Sequence, residues 1–370
     1  MRARLSVALH AVSVRRGKQW ALKNISLELK GGERWALIGS NGSGKTQLLK
    51  LIAADVWPTP TGREKLVYRA GGHAIYPDQA KQRIAYLGSE LQDKYARYGW
   101  NPSLRELLAT GLHRTDLLLA PVAPAERRKI SAMLSACGLT VLGDRRFASL
   151  SYGQKRIALL ARALCQSPDW LLLDEFYNGL DGHYRARIDR MLGAARARGS
   201  SWVAAAHRAL DVPRGTRGVI ELEAGRLRAV RPLRPAELAR LRRDAGEHRP
   251  PRPPRPPRRS VRRSAPAAKR LPLIRLRQVS LYVDYRRVLR DVDWELHEGE
   301  HWAVFGANGA GKTSFLKLLY GDLSPALGGS IERAGYPRGT PIADWKRRIG
   351  YVSPELQTDY AVNVTVRDLV

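Results

Sequence analysis

The sequence has no run of about 18 consecutive apolar residues, the length that a membrane-spanning helix needs. Its first residues lack the apolar core and the small-residue cleavage site of a signal peptide. Only two cysteines occur, Cys137 and Cys165, in separate segments and without metal-ligand spacing. These features argue against a membrane span, a disulfide framework and a zinc site, and they predict a cytoplasmic globular protein.

Acidic residues are also scarce. The chain carries 34 Asp and Glu against 64 Lys and Arg, a formal net charge of +30 over 370 residues. Residues 240–270 hold eleven Arg and one Lys against Asp244 and Glu247, a net charge of +10. This excess favours acidic partners such as RNA, an anionic lipid surface or nucleotides. A solvated arginine-rich surface with no such partner accounts for the composition equally well.

The chain contains an internal repeat. Gly32–Leu51 and Gly299–Leu318 share thirteen of twenty residues, and Arg83–Tyr95 and Arg348–Tyr360 share seven of thirteen. Repeats of this length predict two copies of one domain rather than a short-period solenoid. We therefore predict a first domain over residues 1–232 and a second over residues 271–370.

A basic, proline-rich stretch separates the copies. Residues 249–259 read RPPRPPRPPRR, and proline fixes φ and removes backbone donors. We predict a semi-rigid linker over residues 233–270, extended rather than packed. Residues 365–370 align with residues 103–108 of the first copy, so we expect the second copy to stop inside its domain.

Both copies carry a phosphate-binding loop of the pattern G-x-x-x-x-G-K-[ST]. In the first copy the loop follows a short apolar strand, Arg34–Ile38, and precedes a helix over Gln47–Ala54. Glycines in this setting let backbone N–H groups surround phosphate oxygens at a helix N-terminus. The predicted nucleotide-binding residues are Gly39, Ser40, Asn41, Gly42, Ser43, Gly44, Lys45, Thr46 and Gln47, with Gly306, Ala307, Asn308, Gly309, Ala310, Gly311, Lys312, Thr313 and Ser314 in the second copy.

Magnesium ligands and a catalytic carboxylate are predicted beside the loop. Lys45 would reach the β- and γ-phosphates of ATP, and the hydroxyls of Thr46 and Thr313 would ligate Mg²⁺. Trp170–Glu175, WLLLDE, reads as a buried strand that ends in two carboxylates. Asp174 is predicted to hold Mg²⁺ in the first copy together with Thr46, and Glu175 is the predicted acceptor of a hydrogen bond from the attacking water.

At this point the sequence resembles the ATP-binding cassette (ABC) ATPases. Leu150–Gln154, LSYGQ, is similar to the family's LSGGQ signature and lies between the loop and Asp174. The resemblance implies a D-loop ending at Asp181 and a catalytic switch histidine at His207. The signature residues carried over are Ser151, Tyr152, Gly153 and Gln154.

The resemblance implies a fold class and a mode of assembly. The fold would be an α/β P-loop NTPase of the ABC type, with a helical subdomain carrying the signature, present in tandem. Two cassettes would pair head to tail, so that the signature of one contacts the nucleotide held by the other. The activity would be hydrolysis of Mg-ATP, dominated by positioning and electrostatic stabilisation.

The sequence departs from the family pattern in three places. The glutamine usual after the I-G-Y-V strand is replaced by Ser89 and by Pro354, with Glu90 and Gln92, and Glu355 and Gln357, as the nearest polar substitutes. Phe176 follows Glu175 where proline is usual. The aromatic residue expected to stack on adenine is absent near Arg16, whose guanidinium offers a substitute, and Tyr282 offers one in the second copy.

Tandem cassettes joined by a short linker resemble the ModF/PhrA-like group. That resemblance implies an ATP-binding subunit of a transport system, with molybdate import as the associated process and a membrane permease as partner at the inner face of the membrane. A soluble tandem-cassette factor acting on ribosomes or nucleic acid is the alternative, although this linker is broken by proline. A non-catalytic regulator is the third reading.

Overall fold

The computed structural model describes residues 3–234, 236–240, 272–283, 286–306, 309–337 and 339–353. The chain divides into two compact units, Met1–Pro251 and Arg252–Val370. Residues 241–271, which hold the proline-rich part of the predicted linker, lie outside the described residues, as do Ala307, Asn308, Pro354, Glu355 and Gln357.

The described residues of the first unit form ten strands and seven named helices, besides short 3-10 turns and the helical residues 236–240. The strands are β1 (Leu5–Arg16), β2 (Gln19–Leu29), β3 (Arg34–Ile38), β4 (Lys65–Ala70), β5 (His73–Ile75), β6 (Ile84–Leu87), β7 (Trp170–Asp174), β8 (Ser201–Ala206), β9 (Gly218–Glu223) and β10 (Arg226–Pro232). The helices are α1 (Lys45–Ile52), α2 (Pro77–Lys81), α3 (Ser89–Arg97), α4 (Leu104–His113), α5 (Pro124–Ala136), α6 (Tyr152–Cys165) and α7 (Gly182–Ala197).

A six-stranded sheet in the order β10-β9-β3-β8-β7-β6 forms the centre of this unit. All its neighbours are parallel except β10 and β9. Every residue of β7 and β8 is buried, which explains why both strands are almost continuously apolar. Parallel strands place their carboxyl ends at one edge, and β3, β7 and β8 all lead into predicted site residues there.

A second, antiparallel sheet has the order β2-β1-β4-β5. Leu5, Val7 and Leu9 alternate with more exposed residues along β1, and α1 packs with them in one apolar core. Helices α4, α5 and α6 form a separate apolar core with α7 on the other side of the parallel sheet. The predicted α/β architecture is confirmed, and α1 is fixed between the two sheets.

The beginning of the predicted linker is packed rather than extended. Leu233 and Leu238 are buried in a small apolar cluster with Val212 and Val219. Residues 236–240 are helical. The expectation of an extended linker from residue 233 onward is therefore wrong for this segment. Its two leucines supply apolar surface that can be buried, which the arginines and prolines later in the predicted linker do not.

The second unit is built on a smaller sheet. Its described elements are β11 (Ile274–Val283), β12 (Arg286–Leu296), α8 (Lys312–Tyr320), β13 (Ser330–Arg333) and α9 (Ile342–Lys346). The strand order is β12-β11-β13, and both pairings are antiparallel. Residues 301–306 align with β3 but form no strand, because the described residues of this unit include no counterparts of β8 and β9 to pair with them.

Candidate nucleotide-binding and hydrolysis site

The first phosphate-binding loop connects the end of β3 to the first turn of α1. Gly42 and Gly44 have φ angles of 77° and 102°, in the left-handed region that favours glycine. A Cβ at Gly44 would lie 2.6 Å from the carbonyl oxygen of Ala21, so a side chain would force the loop apart. The loop therefore needs glycine for both its conformation and its packing, and it delivers Lys45 as the first residue of α1.

Lys45 lies inside the loop that it follows. Its Nζ donates to the carbonyl oxygens of Gly39 and Ser40, at 2.9 Å each, and the residue is only 5% exposed. Burial lowers the pKa of Lys45, and the carboxylates of Glu175 and Asp174 oppose that shift. The structure thus brings the loop lysine and the two carboxylates at the end of β7 into one electrostatic site.

Two buried polar atoms in this site, Ser43 Oγ and Asp174 Oδ1, have no hydrogen-bond partner among the described residues. The other Asp174 oxygen, Oδ2, accepts a hydrogen bond of 2.8 Å from the hydroxyl of Tyr86. Buried polar atoms in proteins are normally paired, so these two indicate where a polar ligand fits. Sequence reasoning did not identify Tyr86, although the repeated pattern I-x-Y in Arg83–Tyr95 and Arg348–Tyr360 was a usable signal.

Burial destabilises the ionised form of the Asp174 side chain. Burial raises the pKa of Asp174, while hydrogen bonds from Thr46 and Tyr86 and the charge of Lys50 lower it. Burial is the largest of these effects, so the carboxylate loses more stabilisation by water than its neighbours restore. A cation bound beside Asp174 would stabilise the ionised carboxylate, because its positive charge would compensate for the lost solvation.

Glu175 follows β7 directly and adopts a φ of 48°, in the left-handed region that glycine favours, at a cost of about 1–2 kcal/mol for other residues. His207 Nε2 is hydrogen-bonded to Glu175 Oε1, and Asn178 Nδ2 donates to Oε2 at 2.8 Å. The strand register explains the first contact, since Asp174 pairs with Ala205 and both strands end at the same edge. Glu175 is thus held at both oxygens.

The signature residues begin α6. Ser151 caps the helix, with its hydroxyl accepting from Gln154 N at 3.3 Å and its own N–H donating to Gln154 Oε1 at 2.9 Å. A Cβ at Gly153 would lie 2.5 Å from the ring of Tyr184. Asp181 caps α7, where its Oδ1 accepts from Tyr184 N at 3.0 Å. No hydrogen bond or ion pair within the described residues joins Ser151–Gln154 to the phosphate-binding loop of the same cassette.

Two of the three departures from the family pattern have a candidate substitute in the first copy, Glu90 for the glutamine and Arg16 for the aromatic residue, and both side chains contact α1. Glu90 forms an ion pair with Lys50 of α1, with an N–O distance of 2.7 Å, although its side chain is 65% exposed. Arg16 Nε donates to Oε1 of Gln47 at 3.0 Å, which fixes that guanidinium beside the first turn of α1. Both contacts are made to α1, so both substitutes lie next to the candidate nucleotide site.

The described ends of the second phosphate-binding loop, on either side of Ala307 and Asn308, have the local geometry of the first. Gly309 and Gly311 have φ angles of 84° and 91°, and α8 begins at Lys312 as α1 begins at Lys45. Lys312 Nζ donates to the carbonyl oxygen of Gly306 at 2.8 Å, the same type of contact as in the first copy. Thr313 and Ser314 continue the first turn of α8. The described part of the second unit contains a loop but no acidic strand end beside it.

Comparisons with known proteins identify the family. The chain matches the ABC transporter family over residues 22–178 and 289–368. It is 30% identical over 352 residues to the ABC transporter ATP-binding protein ModF of Escherichia coli, spanning 93% of this chain and 69% of that protein. An uncharacterized ABC transporter ATP-binding protein of Schizosaccharomyces pombe is 29% identical, spanning 91% of this chain and 69% of the relative.

Solved structures agree at the level of the fold. A nucleotide-free ATP-binding cassette from an ABC transporter aligns with a TM-score of 0.52 at 19% identity, covering 65% of this chain and 95% of that chain. A dimeric cassette bound to ADP and Pi aligns with a TM-score of 0.50 at 23% identity, covering 62% and 99%. The chain belongs to the ABC transporter family. It is a tandem-cassette ATP-binding protein of that family and an ATPase.

Neither a membrane helix nor a clustered metal site is found in the described part of the chain. No described helix is both long enough and apolar enough to cross a bilayer. The same residues contain no group of three or more His, Cys, Asp and Glu side chains able to hold a metal ion.

The buried charge of Asp174 gives a stability prediction. Because its pKa is raised, the folded protein holds the Asp174 proton more tightly than the unfolded chain does, so folding stability falls as pH rises through the acid range and stays reduced at neutral pH. Asp174→Asn should therefore raise the melting temperature of the nucleotide-free protein at neutral pH, by roughly 2–4 °C. Scanning calorimetry without nucleotide measures this directly.

Asp189→Asn is the matched control. Asp189 is similarly buried, but its Oδ1 accepts from Tyr177 Oη at 2.9 Å and from Arg214 N at 3.1 Å. Removing a carboxylate that is already paired should lower the melting temperature. A fall of equal size in both variants would contradict the claim that Asp174 carries an unmet desolvation cost.

Proposed function

We propose that the chain is the ATP-binding subunit of a transport system and hydrolyses Mg-ATP at the site built around Lys45, Asp174 and Glu175. The observation that carries this proposal is the meeting of the phosphate-binding loop with the ends of β7 and β8, where Lys45, Asp174, Glu175 and His207 converge. Belonging to the ABC transporter family and similarity to ModF along most of the chain support the transport role.

The residues fit Mg-ATP on two grounds. A Cβ at Gly42 would meet no atom within 4 Å, which leaves room for a phosphate beside the backbone there, and Ser43 Oγ is a buried polar atom with no partner among the described residues. Asp174 Oδ1 is likewise unpartnered, and Thr46 lies within hydrogen-bonding range of the same carboxylate. In this proposal Thr46 and Asp174 hold Mg²⁺, which would neutralise charge developing on the phosphates.

Glu175 is proposed to orient the attacking water. Its carboxylate is fixed by His207 at Oε1 and by Asn178 at Oε2, so it can accept a hydrogen bond from water in one defined direction. His207 is proposed to hold Glu175 before nucleotide arrives and to contact the γ-phosphate afterwards. Lys45 would exchange its bonds to Gly39 and Ser40 for phosphate oxygens.

Head-to-tail pairing of cassettes is proposed to complete the site. Ser151 and Gly153 have no polar contact with the loop of their own cassette within the described residues, although their position at the start of α6 exposes backbone N–H groups and a hydroxyl. In the proposed dimer these groups contact the γ-phosphate held by another cassette. Asp181, at the start of α7, is proposed to lie at the same interface.

Affinity purification from the native host tests the transport role. The tagged full chain is expected to retain a membrane permease in the presence of a non-hydrolysable ATP analogue. Molybdate is the first solute to test in uptake assays, because the tandem arrangement resembles the ModF/PhrA-like group. Ribosomes or RNA in place of a permease would replace this proposal with the alternative, in which the basic linker binds an anionic surface and the binding falls steeply with salt.

A further inference from the structure

Two departures from the family pattern meet at one buried arginine. Tyr152 occupies a position that is glycine in the LSGGQ signature, and Phe176 follows Glu175 where proline is usual. Arg156 lies one turn along α6 from Tyr152, and its guanidinium carbon is 5.2 Å from the ring centre of Tyr152 and 5.2 Å from that of Phe176. Arg156 and Phe176 are buried, at 3% and 1% exposed, whereas Tyr152 is 41% exposed, so the cluster runs from the interior to the surface.

The polar contacts of Arg156 are unusual for a buried cation. Tyr152 Oη accepts from Arg156 Nε at 3.1 Å and from Nη2 at 2.8 Å, whereas Nη1 has no partner in the described part of the chain. Within the described residues no carboxylate forms an ion pair with Arg156. An unpaired buried donor costs about 1–3 kcal/mol. The aromatic rings are therefore what compensates this guanidinium, through its flat face and its charge.

The cluster links the signature to the segment that carries Glu175. Tyr152 follows Ser151 directly, and Phe176 follows Glu175 directly. Tyr152 also borders the other end of that segment, because a Cβ at Gly179 would lie 3.3 Å from its ring. A shift of Tyr152 thus reaches Glu175 through its ring contact with Arg156 and then through the buried pair Arg156 and Phe176, where close packing transmits displacement rather than absorbing it.

We propose that Arg156 is a positioning residue, which couples nucleotide contact at the signature to the placement of Glu175. Contact between Ser151 and the nucleotide of the opposing cassette constrains Tyr152, and Arg156 passes that constraint to Phe176 and hence to Glu175. Arg156 itself touches neither nucleotide nor water. This inference rests on the proposed roles of Glu175 and of the signature.

Arg156→Lys tests the coupling while keeping the charge. Lysine lacks the planar guanidinium that contacts both rings, so Glu175 should be held less accurately. The ATPase kcat of the full chain is expected to fall about tenfold, since small misplacements of a catalytic group have effects of this size or larger. The dissociation constant of the nucleotide is expected to stay within about twofold of the parent, because Lys45 and its loop are untouched.

Arg162→Lys is the matched control. Arg162 lies on the same helix and is similarly buried, but it donates to Thr110 Oγ1 at 2.9 Å and to the carbonyl oxygen of Thr115 at 2.7 Å, away from the signature. Its variant should lose thermal stability and little kcat at a temperature where both variants are folded. Equal losses of kcat in the two variants would overturn the proposal, because burial alone would then explain the effect.

A double-mutant cycle provides an independent readout. If Tyr152 and Phe176 act through Arg156, the double variant carrying Tyr152→Phe and Phe176→Leu should lower kcat by about as much as the more damaging of the two single variants. Full additivity would overturn the coupling. Glu175→Gln, assayed in parallel, separates the two levels: unimpaired hydrolysis in that variant refutes the proposed function, whereas loss of hydrolysis there with parental kcat in Arg156→Lys refutes only this inference.

Discussion

Lys45→Ala is expected to weaken ATP binding by about a hundredfold, the loss of one or two charge-assisted hydrogen bonds of about 1.5–3 kcal/mol each. The lysine is the first residue of α1 and lies within the loop, where its Nζ already sits against two carbonyl oxygens. Its charge is therefore placed where phosphate oxygens would lie. Isothermal titration calorimetry with ATP and Mg²⁺ measures the loss.

Lys50→Ala controls for removing a positive charge from the same helix. Lys50 pairs with the carboxylate of Glu90 rather than with the carbonyl oxygens of the loop. Its variant should bind ATP within about threefold of the parent, because an ion pair with an exposed partner contributes little. Parental affinity in Lys45→Ala would contradict the assignment of this loop as the phosphate site.

Glu175→Gln is expected to lower kcat by at least about a hundredfold while leaving ATP affinity nearly unchanged. The amide keeps the size of the side chain, but it has one acceptor oxygen in place of two and no charge, so it accepts more weakly from the attacking water and cannot accept from both Asn178 and His207. Because binding persists without turnover, the variant should accumulate a nucleotide-bound dimer. Steady-state phosphate release and light scattering with ATP measure the two effects.

Glu223→Gln serves as the comparison for Glu175→Gln. Glu223 ends β9 in the same sheet, and its only described ion pair is with the exposed Arg228. Its variant should hydrolyse ATP at the parental rate. Parental turnover in Glu175→Gln would remove Glu175 from the mechanism, and loss of ATP affinity in that variant would instead give it a binding role.

Local pattern was enough to predict the loop and the acidic strand. The expected strand Arg34–Ile38 is β3, and the expected strand at Trp170 is β7 with Asp174 as its last residue. The helix after the loop begins at Lys45 rather than Gln47, because the glycines let the helical turn start inside the motif. These features depend on neighbours in sequence, which is why the sequence reveals them.

Contacts made across the sheet could not be predicted. Tyr86 reaches Asp174 only because β6 pairs with β7 in the register Tyr86 to Leu172, and no local pattern specifies that register. Arg156 meets Phe176 for the same kind of reason. The second copy shows the converse, since residues 301–306 match β3 in sequence but have no parallel neighbours among the described residues and form no strand.

The position of Lys45 has a consequence for how the loop meets ATP. By bonding Gly39 and Ser40, the ammonium holds the loop in a ring-like shape before any phosphate is present. The entropy of closing that ring is lost during folding, not during binding. Nucleotide therefore enters a preorganised loop, and its phosphate oxygens replace the two carbonyl oxygens that accept from Lys45. The enthalpy of binding then measures an exchange of hydrogen bonds, so it is smaller than the strength of the new hydrogen bonds to phosphate.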